Sequence, residues 1–393
     1  MGVLSQTREI VLLNLRSIPS RLGASLVIVI GIAGVVAVLV AMLAMSRGLS
    51  RTLEDTGAPD RVVVLRGGST VELSSFLDRA SSTLVRQDPG VARLPSSLPA
   101  ASGEVVVITE VMRPGQSSGA NVSLRGVEPS GLSLRPELRL VEGRMFRPGL
   151  REIIVGSGAR SQFANLDPGS MLRFRGTDWR VVGVFASGDA HDSELWADLE
   201  TVQGVFRRNG VSSVLLKLAN ADSFDAVKAR LTSDPQLNVE VQREGEYFRS
   251  QSAGLTRQIG VVTTLVGIVM ALGAMFGAIN TMYSAVSTRT AEIGTLRALG
   301  FGRLPVLASV MAESLLLALA GGLLGAGIAA VLFNGYTVST LGSGFTQIAF
   351  DFAVTPDLLF KGLSWALGIG FVGGLAPALH AARIPVTEAL RAR

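Results

Sequence analysis

The chain has 393 residues, 48% of them hydrophobic and only 17% charged, with a formal net charge of +5. Soluble domains carry about 25% charged residues, so the deficit argues against an ordinary soluble protein and fits a membrane protein. No block of like charges and no aromatic-basic alternation occurs, which argues against nucleic acid, and the absence of cysteine rules out disulfides, thiolate catalysis and cysteine-ligated metals.

In chain order, residues 1–21 carry Arg8, Arg16 and Arg21 and read as a short cytoplasmic helix. Residues 22–45 form a run without charge. About 20 apolar residues span a bilayer, and a signal-peptide core is only about 7–15 residues, so this run reads as a retained first span. Residues 46–258 are ordinary globular sequence. Three more runs then follow, at residues 259–286, 305–335 and 358–382. The expected fold is an α-helical membrane protein with four transmembrane helices in a 1+3 arrangement and an α+β extracytoplasmic domain.

Arginine placement orients the chain. Arg289, Arg297 and Arg303 lie between the second and third spans, and Arg383, Arg391 and Arg393 follow the fourth, whereas the loop 336–357 has no Lys or Arg. By the positive-inside rule both termini, the 287–304 connection and the 383–393 tail are cytoplasmic. The large domain and the 336–357 loop are then outside.

Within that domain, Arg47–Asp55 and Glu244–Gln258 read as helical stalk segments continuing the first two spans. Val-rich Arg61–Leu65 and Glu104–Val111 read as strands, and Thr70–Val85 has helical spacing. A second β-α-β unit follows, with strand Ser213–Leu218, helix Ser223–Leu231, a turn at Asp234-Pro235 and strand Asn238–Val241. Together these describe a split β-α-β layer. Between the two units, Glu152–Val155, Met171–Arg175 and Trp179–Phe185 read as a small β-rich subdomain.

Catalytic constellations are not apparent. There is no phosphate-loop motif and no His-Glu-x-x-His helix. The single Gly-x-Ser-x-Gly match, Gly115 to Gly119, lacks the strand-turn-helix context of a nucleophile elbow and reads as a polar loop. Asp189, His191, Asp192 and Glu194 could offer oxygen and imidazole to a divalent cation, but without a ligand spacing they read as a solvated loop. No catalytic residue, resident cofactor or metal site is expected. Glu313 sits within the third span, where an ionisable group costs about 2.5–3.5 kcal/mol, so it should face protein or water. With no second carboxylate in any span, a hydrogen bond to a neighbouring helix or a cytoplasm-facing polar network is preferred to a proton relay or substrate contact. Gly321-x-x-x-Gly325 and Gly370-x-x-x-Gly374 are small-residue packing motifs that serve contacts within or between subunits equally well.

The cytoplasmic connection places Ile293, Leu296 and Leu299 at helical spacing, lets Arg289 pair with Glu292, and offers Gly300 as a helix stop. It reads either as a connector whose arginines set topology or as a docking helix for a soluble partner.

At this segment the sequence resembles MacB/FtsX-type ABC transporter permeases, through Arg289 to Gly300 (R-T-x-E-I-G-x-L-R-A-L-G). Further matches are Asn14-Leu15-Arg16, Glu313 before a glycine-rich span, and the Gly374–Arg391 ending. Leu140–Phe146, Glu152–Gly156 and Trp179–Val184 are similar to the family's periplasmic core domain. The resemblance implies a multi-pass protein of the bacterial inner membrane, acting as a dimer with an identical or paralogous second permease subunit. Two ABC ATPase subunits would bind ATP and Mg, on separate chains, unlike MacB with its fused ATPase. It implies a coupling helix made of Arg289, Glu292, Ile293, Gly294, Leu296, Arg297, Leu299 and Gly300. The apolar members would sit in the ATPase cleft, and the charged ones would fix orientation. The implied function is export by mechanotransmission, with a periplasmic adaptor and outer-membrane duct. Alternatives on the same scaffold are a LolC/LolE-like lipoprotein-releasing permease and an FtsX-like regulator of a periplasmic enzyme.

Overall fold

A computed structural model describes residues 22–116, 118–342 and 346–385. The expected N-terminal helix 1–21 and the Gly374–Arg391 motif beyond residue 385 therefore lie outside the described residues, wholly and in part respectively. Four helices are long and apolar enough to cross a membrane. They are the first helix α1 (Leu22–Glu54), and later Glu244–Thr288, Arg303–Phe333 and Pro356–Arg383. Both stalk segments are continuous with these helices, because nothing in Arg47–Glu54 or Glu244–Gln258 interrupts the backbone ladder.

The chain divides into two units. One comprises the residues up to Arg47, Gln258–Tyr336 and those from Phe352 on; the other comprises Gly48–Arg257 with Thr337–Asp351.

The second unit is built on a ten-stranded mixed sheet. Its strands are β1 (Arg61–Arg66), β2 (Ala101–Met112), β3 (Gly119–Val127), β4 (Arg139–Gly143), β5 (Glu152–Gly156), β6 (Met171–Phe174), β7 (Thr177–Ala186), β8 (Leu195–Asp198), β9 (Ser213–Lys217) and β10 (Val239–Arg243). The ladder runs β10-β1-β9-β2-β3-β8-β5-β7-β4, with β6 also on β7. Pairs β3/β8 and β5/β7 are parallel and the others antiparallel. Strand β1 lies between β9 and β10 and buries Val62 to Leu65 on both faces, which is why it reads as a continuous apolar run rather than an alternation. The expected β-rich subdomain is therefore not a separate sheet. Parallel pairing of β3 with β8, two strands outside the expected set, joins it to the split layer.

Short helices cover the sheet: α2 (Arg79–Arg86), α3 (Pro129–Ser133), α4 (Ser157–Gln162), α5 (Leu199–Phe206) and α6 (Phe224–Ser233). The single helix expected over Thr70–Val85 is instead a 3-10 turn, Glu72–Ser74, followed by α2. Asp78 caps α2 by accepting a hydrogen bond from Ser81 N–H at 2.7 Å, which fixes its start there. Asp198 caps α5 in the same way through Thr201 N–H at 3.1 Å.

The other unit holds most of α1, then α7 (Glu244–Thr288) from Gln258, α8 (Thr290–Ala298), α9 (Arg303–Phe333) and α10 (Pro356–Arg383). Its glycines bring backbones together. A Cβ on Gly321 would stand 2.8 Å from the Val29 carbonyl oxygen of α1, and one on Gly322 would stand 2.8 Å from Ala366 Cβ of α10. Gly374 stacks on Ser314 of α9, whose Oγ donates to the Gly370 carbonyl at 2.7 Å. The packing motifs are thus used inside one chain.

The 336–357 segment is not a simple loop. It forms a hairpin of β11 (Thr337–Leu341) and β12 (Gln347–Asp351) that belongs to the sheet unit. There Ala349 N–H donates to Ser193 Oγ at 2.8 Å, and Phe350 is buried.

Candidate functional site

The connection between α7 and α9 is helix α8, and its ends explain its length. Arg289 leaves helical geometry (φ −111°, ψ 11°), which separates α7 from α8. At the other end Gly300 has φ +94°, with Gly300 N–H donating to the Arg297 carbonyl and Phe301 N–H to the Leu296 carbonyl, both at 3.1 Å. This is a Schellman stop, which favours a residue without Cβ.

Charge fixes α8 to its neighbours. Arg289 Nη1 lies 2.9 Å from Glu313 Oε2 of α9, with both side chains buried. Arg289 Nε is also 3.6 Å from Glu292, which is exposed. Arg297 Nη1 donates to the Ala382 carbonyl at 3.4 Å and to the Ile384 carbonyl, at the end of α10. Arg289 and Arg297 are thus engaged by groups of this chain, rather than being held outward for a partner. Glu313 faces protein, with the guanidinium at the junction of α7 and α8 as its partner.

The apolar residues of α8 do not share one outward face. Ile293 and Gly294 are buried, Ile293 within the core of the helical unit alongside Val286, Val306 and Val310. Leu296 is half-buried and lines, with Arg289 and Glu313, a cavity of about 30 Å³. Of the larger apolar side chains only Leu299, 73% exposed, stands outward with Glu292. The reason is local. A helix of nine residues has room for one inward stripe, and Ile293 takes it.

The sheet unit holds a second concentration of charge that the sequence reading passed over. Arg125 of β3 contacts three glutamates at 2.7–2.8 Å: Glu72, Glu104 of β2 and Glu194. Arg135 forks onto Glu104, and Arg61 of β1 lies 2.5 Å from Glu244, the first residue of α7. Burial alone would raise the Glu104 carboxyl, but Arg135 and Arg125 bring it down to about 2. Burial would likewise depress the Arg125 guanidinium, but its carboxylate partners hold it well above its ordinary value.

Asp189, His191 and Glu194 are buried beside this cluster and Asp192 is half-buried, so the segment is not a solvated loop. His191 Nδ1 stands 3.1 Å from Asp189 Oδ1, with both side chains buried. Asp192 accepts from Ser187 N–H at 2.7 Å and Gly188 N–H at 2.9 Å. Glu194 accepts from Trp196 Nε1–H at 2.7 Å besides Arg125. Their carboxylates are committed to donors of the chain, and no group of three metal-ligating side chains occurs among the described residues.

Comparison with known proteins agrees with this architecture. A family model described as the MacB-like periplasmic core domain matches residues 23–234, more than half of the chain, and one described as the FtsX-like permease C-terminal matches residues 264–386. The chain belongs to the MacB/FtsX-type ABC transporter permease family. Macrolide export ATP-binding/permease protein MacB of Bdellovibrio bacteriovorus is 27% identical over 91% of this chain and 57% of its own length. MacB of Chlorobium luteolum is 26% identical over 93% of this chain, again with 57% of its own length covered. The uncharacterized ABC transporter permease YknZ of Bacillus subtilis is 24% identical over 61% of each chain. The chain thus spans less than two thirds of the length of these curated relatives. Among solved structures, the periplasmic region of MacB from Actinobacillus actinomycetemcomitans is 14% identical, covering 49% of this chain and 92% of that one at a TM-score of 0.37. Family and helices together make this permease an inner-membrane protein with a periplasmic domain.

Proposed function

We propose that this permease converts ATP-driven motion of an ABC ATPase into movement of its periplasmic sheet domain, and so exports a substrate. Helices α1, α7, α9 and α10 cross the inner membrane in a one-plus-three arrangement, with both termini and α8 on the cytoplasmic side. The reading pairs two permease subunits with two ATPase subunits, which bind ATP and Mg, and hands cargo to a periplasmic adaptor and outer-membrane duct. The macrolide-export function named for the MacB relatives favours small-molecule export over lipoprotein release or enzyme regulation.

The observation that carries the proposal is the double tether of α8. Arg289 reaches Glu313 of α9, and Arg297 reaches the last carbonyls of α10. A load applied to α8 is passed to both helices through charged contacts, which hold geometry better than neutral ones. The face left for the ATPase carries Glu292, Thr295 and Leu299.

The test replaces that face. Glu292→Lys and Leu299→Asp, each in the complex reconstituted with its ATPase, should lower ATPase activity tenfold or more, with the sheet domain and helical content unchanged. Full activity with normal assembly in both variants would overturn the proposal.

A further inference from the structure

Away from α8, the helical unit contains one large apolar groove. It runs between α7 and α10 and has a volume of about 470 Å³. Ile268, Ala271, Leu272 and Met275 form one wall, at the i, i+3, i+4, i+7 spacing of a single helix face. Trp365, Gly368 and Val372 of α10 form the other. A Cβ built on Gly368 meets nothing within 4 Å, so the glycine leaves the floor open rather than serving a helix contact.

The same face of α10 carries two charges above the groove. Asp357 and Lys361 precede Trp365 at successive i, i+4 steps, and Lys361 Nζ lies 2.8 Å from Asp357 Oδ2. Both are more than half exposed. A lysine in the first turns of a membrane helix is tolerated when its ammonium reaches the headgroup layer, and tryptophan marks that same layer. Reading down the face gives a cation beside an anion, then an interfacial aromatic, then an apolar trough.

We propose that this groove binds one phospholipid with a zwitterionic, amine-bearing headgroup. Lys361 would take the phosphate, Asp357 the headgroup ammonium, and an acyl chain would lie along Gly368 between α7 and α10. The charge pair selects the headgroup class. An anionic headgroup without an amine satisfies Lys361 but leaves the Asp357 carboxylate without a cation. An exposed ion pair is weakly held in water, so it can open to admit such a headgroup.

The test is native mass spectrometry of the full-length protein released from bilayers of equal phosphatidylethanolamine and phosphatidylglycerol. The expected result is retention of one phosphatidylethanolamine per chain. Gly368→Leu, which fills the floor, should reduce retention at least tenfold. Asp357→Lys, a surface change that leaves packing untouched, should reverse the preference towards phosphatidylglycerol. Unchanged retention in Gly368→Leu, or no headgroup preference in the parent protein, would overturn the proposal. So would efficient disulfide formation between two copies of Gly368→Cys in the bilayer, which would identify the occupant as a second chain.

Discussion

Arg289 ends one helix and Glu313 lies inside another, and their side chains meet at 2.9 Å with both buried. The pair joins α8 to α9 where hydrophobic contact alone would let a nine-residue helix slide. Its second carboxylate, Glu292, lies 3.6 Å from the same guanidinium and is exposed. Arg289 therefore has an inward partner and an outward one.

Glu313→Leu should release Arg289 towards Glu292 and free α8 from α9. Removing one partner of a buried ion pair costs about 3–5 kcal/mol. Amide hydrogen exchange over residues 290–298 should rise sharply, and the double variant Arg289→Met with Glu313→Leu should restore protection. Unchanged exchange in Glu313→Leu would show that the pair does not hold α8.

The inward and outward residues of α8 should separate cleanly. Ile293→Ala should cost about 2–5 kcal/mol, the usual loss for a large buried aliphatic. Leu299→Ala should leave stability within about 0.5 kcal/mol, as surface changes do. Thermal unfolding of the two variants in the same lipid checks the contrast.

Arg125→Leu should be the most damaging single change in the sheet domain. It leaves Glu72, Glu104 and Glu194 buried around an apolar side chain, at about 3–5 kcal/mol or more. Increased exchange in β2 and β3 of the full chain, with the long helices unaffected, is the expected readout.

Two buried groups give the domain opposite pH dependences. Glu104 is depressed from 4.5 to about 2, so its stabilisation is complete above pH 4.5 and drains away as pH falls towards 2. Burial would lower the pKa of His191, but Asp189 more than offsets this and raises it above 6.5. Its contribution is complete below pH 6.5 and is lost as pH rises through the folded value. Protection of the sheet amides should follow both trends, with Glu104→Gln flattening the acid limb and His191→Gln the neutral one.

The proposed one-plus-three arrangement predicts sidedness. In intact spheroplasts, a cysteine at Thr83 should react with an impermeant thiol reagent and one at Ser287 should not. Equal labelling would refute the orientation.

The long helices were legible because span length and apolar run are directly coupled, and β1 and β2 because four or more aliphatic residues in succession leave few alternatives. The charged core was not legible. Glu104 and Arg125 each interrupt an apolar strand, and periodicity reads such a residue as facing solvent. Their partners, Glu72 and Glu194 for Arg125 and Arg135 for Glu104, are distant in sequence, so only the fold pairs them. The usable signal was a charged side chain set directly beside aliphatic ones, Glu104 before the Val105–Ile108 run and Arg125 after Leu124. The hairpin β11–β12 was hidden for another reason. Strand β11 is at most half-buried, only Ala349 and Phe350 of β12 are buried, and the two strands pair with each other. For α8, spacing identified the helix but not which way it is turned.

The unbroken ladder from β10 to β4 bears on how this domain can be divided. A segment such as residues 126–208 is not a detachable cassette, because its removal cuts β3 and strips β8 from the strand it extends. Chimeras that exchange parts of the periplasmic domain between relatives would have to carry the whole sheet, or restrict the exchange to turns between its strands.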